Sequence, residues 1–429
     1  MSENAPLLPS SADSPPLAGQ QRKRPARTIL VVLALIGACI FVGIKGENGL
    51  LPKNPMKRAQ YFLSNSPVID GHVDLPELAR VMYGNNVDEF NLRKKTVGHV
   101  DIPRMKRGHM GGMFFSVYVD CVEDGPDFLL PTNRVRDTLE QIDVAKLIME
   151  RYSDVFEYCE SATEVRDAIY GGKVAGLLGV EGAHQLGNSL GVLRQYHALG
   201  VRYMTLTHSC NNAFADSAGI FEPVEPAHGG LSSFGKDLIY EMNRVGILVD
   251  ISHVADTTAL QALELTRSPV ILSHSDARHF NNISRNVPDE VLRKIGSGKG
   301  KNDGVVMVNF YPAFLLPRGQ KADVKTVADH IEYIASISGK AHVGIGSDYD
   351  GVETVPEGLE DVSKYPELFA ELIRRGGWSQ KDLAGLAGEN LLRVLEGAER
   401  VAFDMKKEGK QPSMAVYDKR TDLGNGGEY

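Results

Sequence analysis

The sequence has no excess of basic residues, which excludes one large class of function. Its 429 residues include 47 Lys and Arg against 55 Asp and Glu, for a formal net charge of −8. A chain that binds nucleic acid needs a basic face to neutralise phosphates, so no nucleic-acid partner is expected. Internal repeats and coiled-coil heptads are also missing, and the composition is that of an ordinary globular protein.

Cysteines are scarce, with four in the whole chain. Cys39 lies in an apolar run near the amino terminus, which leaves Cys121, Cys159 and Cys210 for one disulfide bond and one free thiol. This usage is consistent with an oxidising compartment. Asn282 begins the sequon Asn-Ile-Ser, so we expect it to be a glycosylation site.

Only one long uncharged apolar run is present, at residues 28–44. Its length is at the short limit for a transmembrane helix, and a cleaved signal peptide is the alternative. Residues 1–27 form a Pro- and Ser-rich segment that we expect to be a disordered cytosolic tail, and its basic cluster at 22–27 precedes the run. The cluster predicts a type II membrane protein whose remaining chain is lumenal or extracellular. Residues 3–8 resemble an acidic dileucine signal for vacuolar or lysosomal delivery.

From residue 67 onward, short runs rich in Val, Ile, Leu and Phe alternate with helix-like segments. This alternation predicts a (β/α)8 TIM barrel over residues 57–404, followed by a polar tail at 405–429. A two-domain, doubly wound sheet is the competing architecture. The predicted strands are 67–73, 112–119, 174–180, 201–206, 246–251, 269–273, 304–310 and 342–347. The predicted helices include 137–152, 232–244, 324–338 and 379–396.

Polar side chains follow the predicted strands, where a parallel barrel places its chemistry. In strand order they are His72 and Asp74, Tyr118 and Asp120, Glu181, His208, His253, His274, Asn309 and Tyr311, and Asp348. His72 and Asp74 are two apart, so they project from one face of a strand and make half of a zinc site. Each side chain alone has an ordinary explanation as a buried, hydrogen-bonded group or a cap. Because all of these side chains are expected at the same face of the barrel, together they indicate a catalytic metal centre.

The motifs around these residues resemble the renal, or membrane, dipeptidase family of amidohydrolase-type metal-dependent barrels. The resemblance covers nearly all of residues 57–400. The matching segments are 70–76, 180–184, 206–211, 252–253, 273–275, 284–289 and 346–351.

The resemblance implies a centre with two zinc ions. His72 and Asp74 would hold one ion, His253 and His274 would hold the other, and Glu181 would bridge both. In such a centre a shared water is deprotonated near neutral pH, and the resulting bridging hydroxide attacks the peptide carbonyl.

The resemblance also assigns roles around the metals. His208 would contact the substrate and the tetrahedral intermediate, Arg285 would bind the free carboxylate, and Asp348 would bind substrate and transfer the proton. Tyr311 would be a further substrate contact. Relatives in the family pair two cysteines that correspond to Cys121 and Cys210.

The sequence therefore predicts a membrane-anchored zinc dipeptidase that acts on dipeptides with a free carboxyl terminus. One alternative is a related barrel hydrolase for a lactone, phosphotriester or deaminase-type substrate. Another is a catalytically inactive barrel that serves as a receptor. The sequence leaves open whether the chain forms a homodimer.

Overall fold

The computed structural model of the protein describes residues 51–423. The predicted tail at 1–27 and the predicted anchor at 28–44 lie outside these residues, so both stay predictions. Between residues 51 and 423, no helix has the length and apolar character needed to span a bilayer.

A single parallel sheet forms the centre of the domain, and it confirms all eight predicted strands. Its hydrogen-bonded order is β1-β2-β4-β5-β6-β7-β8-β9. The strands of this ring are β1 Val68–Val73, β2 Met110–Val117, β4 Val174–Val180, β5 Val201–Thr205, β6 Leu248–Asp250, β7 Val270–Leu272, β8 Val305–Val308 and β9 Val343–Ile345. One further short strand, β3 (Phe156–Tyr158), was not predicted; it pairs with the first half of β4, outside the ring.

The first and last strands meet and nearly close the sheet. The backbone N–H of Asp348 donates to the carbonyl of His72 at 3.1 Å, and that of Asp74 donates to Tyr349 at 2.9 Å. Both bonds lie at the carboxyl ends of β1 and β9. The closed arrangement is a (β/α)8 barrel, and it excludes the two-domain doubly wound sheet.

Helices cover the outside of the barrel, as expected for parallel strands joined by crossovers. In the described part of the chain they are α1 Pro55–Leu63, α2 Leu75–Tyr83, α3 Ile102–Gly108, α4 Arg134–Arg151, α5 Ala162–Tyr170, α6 Leu190–Ala198, α7 Ser233–Val245, α8 Asp256–Leu265, α9 Asp289–Lys294, α10 Pro312–Leu315, α11 Val324–Ser338, α12 Tyr365–Arg375, α13 Gln380–Ala384 and α14 Asn390–Lys407. Three 3₁₀ turns, Ala183–Leu186, Lys340–His342 and Val362–Lys364, connect them.

The helix predicted at 379–396 is divided. A π-helical turn, Gly385–Glu389, separates α13 from α14, and Gly388 has φ 171° and ψ −22° inside it. A Cβ atom at Gly388 would approach the Ile69 side chain to 2.7 Å, so the missing side chain allows this turn to pack against β1.

The barrel interior is filled with side chains and supports the site above it. Gly179 on β4 leaves room for the ring of Tyr203 on β5, since a Cβ there would approach that ring to 2.1 Å. Tyr203 is fully buried, and its hydroxyl points toward the carboxyl end of β1. The core thereby positions a polar group under the functional face.

The segment that follows α14 packs on the barrel in part. Tyr417 is buried, with its ring 5.9 Å from that of Phe234 on α7. The backbone N–H of Ser413 donates to Glu241 on the same helix at 3.1 Å. The predicted polar tail at 405–429 therefore begins inside α14 and continues as a packed segment, described as far as residue 423.

Candidate metal centre and substrate cavity

The carboxyl ends of the strands bring the five predicted metal ligands together. Glu181, which follows β4, lies at their centre. Its Oε1 is 3.1 Å from Nε2 of His253, 3.2 Å from Nε2 of His274 and 3.6 Å from Nε2 of His72. Nε2 of His72 is also 3.3 Å from Oδ2 of Asp74. All five side chains are buried.

These donor atoms suit metal binding. His72 Nε2 and both carboxylate oxygens of Asp74 are buried and have no hydrogen-bond partner. Leaving a buried polar atom unsatisfied costs about 1–3 kcal/mol, and a bound cation would satisfy these three atoms. Nitrogen and oxygen donors of this kind fit zinc. The residues present therefore fit the metal centre that the resemblance implies.

The ligand rings are oriented by groups that sequence reasoning did not identify. The Tyr203 hydroxyl is 2.9 Å from Nδ1 of His72, and the Ser273 hydroxyl is 2.8 Å from Nδ1 of His274. Each contact turns Nε2 toward the centre, which is the usual arrangement for a metal-binding histidine. Asp250 in turn accepts from the hydroxyls of Ser273 at 2.5 Å and Thr205 at 2.6 Å.

Asp70 stabilises the junction of β1 and β9 through hydrogen bonds. Its carboxylate accepts from the backbone N–H of His72 at 3.0 Å, from that of Ser347 at 2.9 Å and from the Tyr365 hydroxyl at 2.6 Å. Asp70 precedes His72 by two residues, as Asp250 precedes Ser252. That spacing is the only sequence signal that marks either carboxylate.

Two functional residues stand in a backbone conformation that ordinary side chains rarely adopt. His253 and Asp348 both have φ of 64°. A non-glycine residue in this left-handed region is strained by roughly 1–3 kcal/mol, and such residues cluster at functional sites. The strain occurs where the chain turns out of β6 and β9, so the turn aims each side chain into the barrel mouth.

Asp348 is a carboxyl group suited to proton transfer. Its Oδ2 accepts from the Asn309 amide at 2.8 Å, and its Oδ1 is 3.9 Å from Nε2 of His72. Burial, together with the negative charge of Asp74, raises the pKa of Asp348 to about 7. A group with that pKa can hold or release a proton near neutral pH.

His208 stands at the edge of the same centre. Its Nε2 is 3.9 Å from Oε1 of Glu181, and its ring centroid is 4.7 Å from that of Tyr118. Burial lowers the pKa of His208 below its ordinary value of 6.5. The imidazole is therefore neutral at pH 7, with one N–H available as a hydrogen-bond donor.

Arg285 is a buried cation without a carboxylate partner. Only 3% of the residue is exposed, and Nε has no hydrogen-bond partner. The guanidinium donates to the Ser275 hydroxyl at 3.1 Å and to the His274 carbonyl at 2.6 Å. Within residues 51–423, no acidic side chain lies in ion-pair contact with it. A buried charge is costly unless a counter-ion is present, so the position points to an anionic ligand.

A cavity of about 260 Å³ opens above these residues. The Arg285 guanidinium lies behind it, 5.4 Å from the ring of Phe314 in the cavity wall. The predicted site residues that line the cavity are Asp74, Glu181, His208, His253, His274, Tyr311 and Asp348. Three more carboxyl groups, those of Glu77, Asp120 and Glu353, line it as well. Burial and the charges of Asp74 and Glu181 raise the pKa of Glu77 to about 9.

The predicted disulfide bond is confirmed. Cys121 and Cys210 are joined, and Cys159 is free and buried. Burial raises the pKa of Cys159 to about 12. Asn282 is exposed in the connection between β7 and α9.

The family comparison agrees with the resemblance seen in the sequence. Residues 56–409 match the model of the membrane dipeptidases, peptidase family M19. An uncharacterised dipeptidase of Schizosaccharomyces pombe is 42% identical over 393 residues, covering 90% of this chain and 94% of its own length. Dipeptidase aclJ of Aspergillus oryzae is 42% identical over 357 residues, covering 82% of each chain.

Solved structures support the same relationship. A metallopeptidase from Rhodobacter sphaeroides, solved with a phosphinate mimic of the dipeptide L-Ala-D-Ala, superposes with a TM-score of 0.67. It is 30% identical, and the match covers 77% of this chain and 99% of that one.

Proposed function

The chain belongs to the membrane dipeptidase family of metallopeptidases, M19, and from that premise we propose that it is a two-zinc dipeptidase requiring a free carboxyl terminus. Membership of the family makes it a hydrolase with dipeptide substrates. The proposed requirement for a free carboxyl terminus rests on one observation: the buried, unpaired guanidinium of Arg285 lies beside the cluster of candidate metal-binding side chains.

His72 and Asp74 would hold one zinc ion, His253 and His274 the other, and Glu181 would be shared between them. The convergence of three histidines on one Glu181 carboxylate and the unsatisfied atoms of His72 and Asp74 support this assignment. When bound, zinc would act as a Lewis acid on the peptide carbonyl and lower the pKa of the attacking water.

Side chains of the protein would transfer the proton and bind the substrate. Asp348 would take a proton from the attacking water and pass it to the leaving amine, as its pKa of about 7 permits. Neutral His208 would donate a hydrogen bond to the oxygen that gains negative charge in the transition state. Tyr311 would form part of the wall against which the substrate lies.

Arg285 would limit the length of the substrate. It follows His274 by 11 residues and donates to the backbone carbonyl of that histidine, so its guanidinium is fixed next to the metal centre. A carboxylate held there leaves room for one residue after the scissile bond, which is the requirement of a dipeptidase. The planar fork of Arg also matches a carboxylate.

The test is the variant Arg285→Ala, compared on a dipeptide and on the same dipeptide with an amidated carboxyl terminus. Loss of one partner from a buried charged pair costs about 2–5 kcal/mol, or roughly thirty- to several-thousand-fold in kcat/KM. We expect that loss on the free dipeptide and little further loss on the amide, which already lacks the interaction.

Arg293→Ala is the matched control, because Arg293 is an exposed arginine of α9 paired with Asp289. It should leave both rates unchanged. Equal losses on the two substrates in Arg285→Ala would show that Arg285 is structural. Hydrolysis of a lactone or phosphotriester in preference to every dipeptide would favour the related-hydrolase alternative, and absence of all turnover with zinc bound would favour the receptor.

We also propose that residues 28–44 anchor the protein, with the barrel lumenal or extracellular and Asn282 glycosylated. The basic cluster at 22–27 and the exposure of Asn282 support this topology. Delivery to a vacuole or lysosome through residues 3–8 remains part of the same proposal.

A further inference from the structure

A second cavity of about 550 Å³ adjoins the metal cavity. Glu77, Tyr118 and Asp120 line both cavities, so the two spaces share one wall. The second cavity continues past apolar side chains of α2 and of the segment that follows β2, namely Val81, Val122 and Pro131. It is large enough to receive an amino-acid side chain beyond the metal centre.

The order of the strands gives the substrate a direction across the barrel mouth. Arg285 follows β7, and Glu77 and Asp120 follow β1 and β2. In the order β1-β2-β4-β5-β6-β7-β8-β9, β7 stands four places from β2, so the two lie on opposite sides of a ring of eight. A dipeptide with its carboxylate at Arg285 and its peptide bond at the metals extends its amino-terminal residue toward Glu77.

Glu77 has no basic partner in the part of the chain that the structure describes. Arg80, one turn further along α2, is paired with Asp137 at 3.4 Å and with Glu140 at 3.3 Å. Glu77 is therefore a carboxyl group at the cavity wall that is open to a positively charged group of the substrate.

We propose that Glu77 is a specificity-determining residue that receives a positively charged group on the amino-terminal residue of the substrate. This inference rests on the proposed function, because the direction of the dipeptide depends on Arg285. Two groups of a substrate carry such a charge: the α-ammonium group and the ammonium group of a long side chain. Asp120, which accepts from the Tyr118 hydroxyl at 3.1 Å, supplies a second carboxyl group at the junction of the cavities.

Four ligands with the same carbon skeleton separate these sources. Lysyl-alanine has both ammonium groups, norleucyl-alanine has the α-ammonium, 6-aminohexanoyl-alanine has the terminal one, and hexanoyl-alanine has neither. Their inhibition constants are measured against hydrolysis of a reference dipeptide by the zinc-loaded full-length protein, Glu77→Gln and Glu77→Asp. Asp143→Asn is the matched control, because Asp143 is an exposed acid of α4.

We expect Glu77→Gln to weaken binding about ten- to hundred-fold for the ligands with the ammonium that Glu77 contacts, and Glu77→Asp to retain part of it. If affinity falls for lysyl- and norleucyl-alanine, Glu77 contacts the α-ammonium group. If it falls for lysyl- and 6-aminohexanoyl-alanine, Glu77 contacts the ammonium group of the side chain. Hexanoyl-alanine and Asp143→Asn should show no change.

Equal losses on all four ligands, or no loss on any, would overturn the proposal. Zinc content and the melting curve of each variant show whether an equal loss comes from a damaged centre. Failure of the wild-type protein to cleave any dipeptide would instead contradict the proposed function, so the two failures are distinguishable.

Discussion

The two oxygens of Asp348 have different surroundings. Oδ2 is held by the amide of Asn309, while Oδ1 faces His72 and the cavity. One oxygen thus fixes the carboxyl group, and the other is free to exchange a proton. The arrangement separates positioning from chemistry within a single side chain.

Asp348→Asn should retain the metals and lose turnover. The amide has nearly the same volume and can present its oxygen to Asn309, but it cannot accept a proton. General acid–base catalysis contributes about 10²–10⁴-fold, so kcat should fall by that factor while the zinc content measured by mass spectrometry stays constant. Near-normal kcat would exclude Asp348 as the general base.

Glu181→Gln provides the contrast at the same site. Glu181 is the carboxylate on which His72, His253 and His274 converge, so this variant should lose metal together with activity. If both variants kept their zinc, Glu181 would not be a shared ligand.

At the scale of residues, position after a strand was enough to predict most of the site. His72 lies near the end of β1, Asp74 and Glu181 follow β1 and β4, and the structure brings the three side chains together. Asp70 and Asp250 could not be found in this way. Several of their partners, such as the Ser347 amide and the hydroxyls of Thr205 and Ser273, come from distant parts of the chain, and no pattern in the sequence shows which parts become neighbours.

Among the structural elements, the connections after β2 and β5 are tied by the disulfide bond. Cys121 directly follows Asp120, and Cys210 lies two residues after His208. The bond therefore links the two connections that form one side of the substrate cavity. Its partners are 89 residues apart in the sequence.

Removing this bond in the double variant Cys121→Ser, Cys210→Ser should lower the free energy of unfolding by about 2–4 kcal/mol, because the unfolded chain is no longer constrained. Denaturant unfolding with and without a dithiol reductant measures the effect. The wild-type protein should be destabilised by the reductant and the double variant should not respond. A peptide map that pairs Cys159 with either partner would contradict the assignment.

Element boundaries were predictable where local signals were strong. Helix α11 matches its prediction, and Asp323 begins it with a capping box that includes Thr326. The prediction failed at the π-helical turn between α13 and α14, because the interruption depends on contact between Gly388 and Ile69. Strand β3, Phe156–Tyr158, is too short to give a periodic signal.

The molecule as a whole combines a barrel with an amino-terminal segment of different composition. The barrel follows from the alternation of apolar runs and helix-like segments. The proposed topology of the segment is based on the charges and apolar run of residues 22–44.

Protease treatment of sealed membranes tests the proposed topology. With residues 28–44 as the anchor, a protease added to the cytosolic side should remove only the tail at 1–27 and leave the barrel intact. Loss of the barrel would reverse the orientation. A mature amino terminus near residue 45 would instead reveal a cleaved signal peptide.

The hydrogen bonds between β1 and β9 join His72 and Asp74 to Asp348 and Tyr349, so three residues of the proposed active centre also close the barrel. During synthesis, the ribosome releases β1 long before β9. An incomplete chain carries His72 and Asp74 but cannot bring them against Asp348, so on the proposed mechanism it would not cleave peptides. Peptidase activity would then begin only after the last strand has been synthesised.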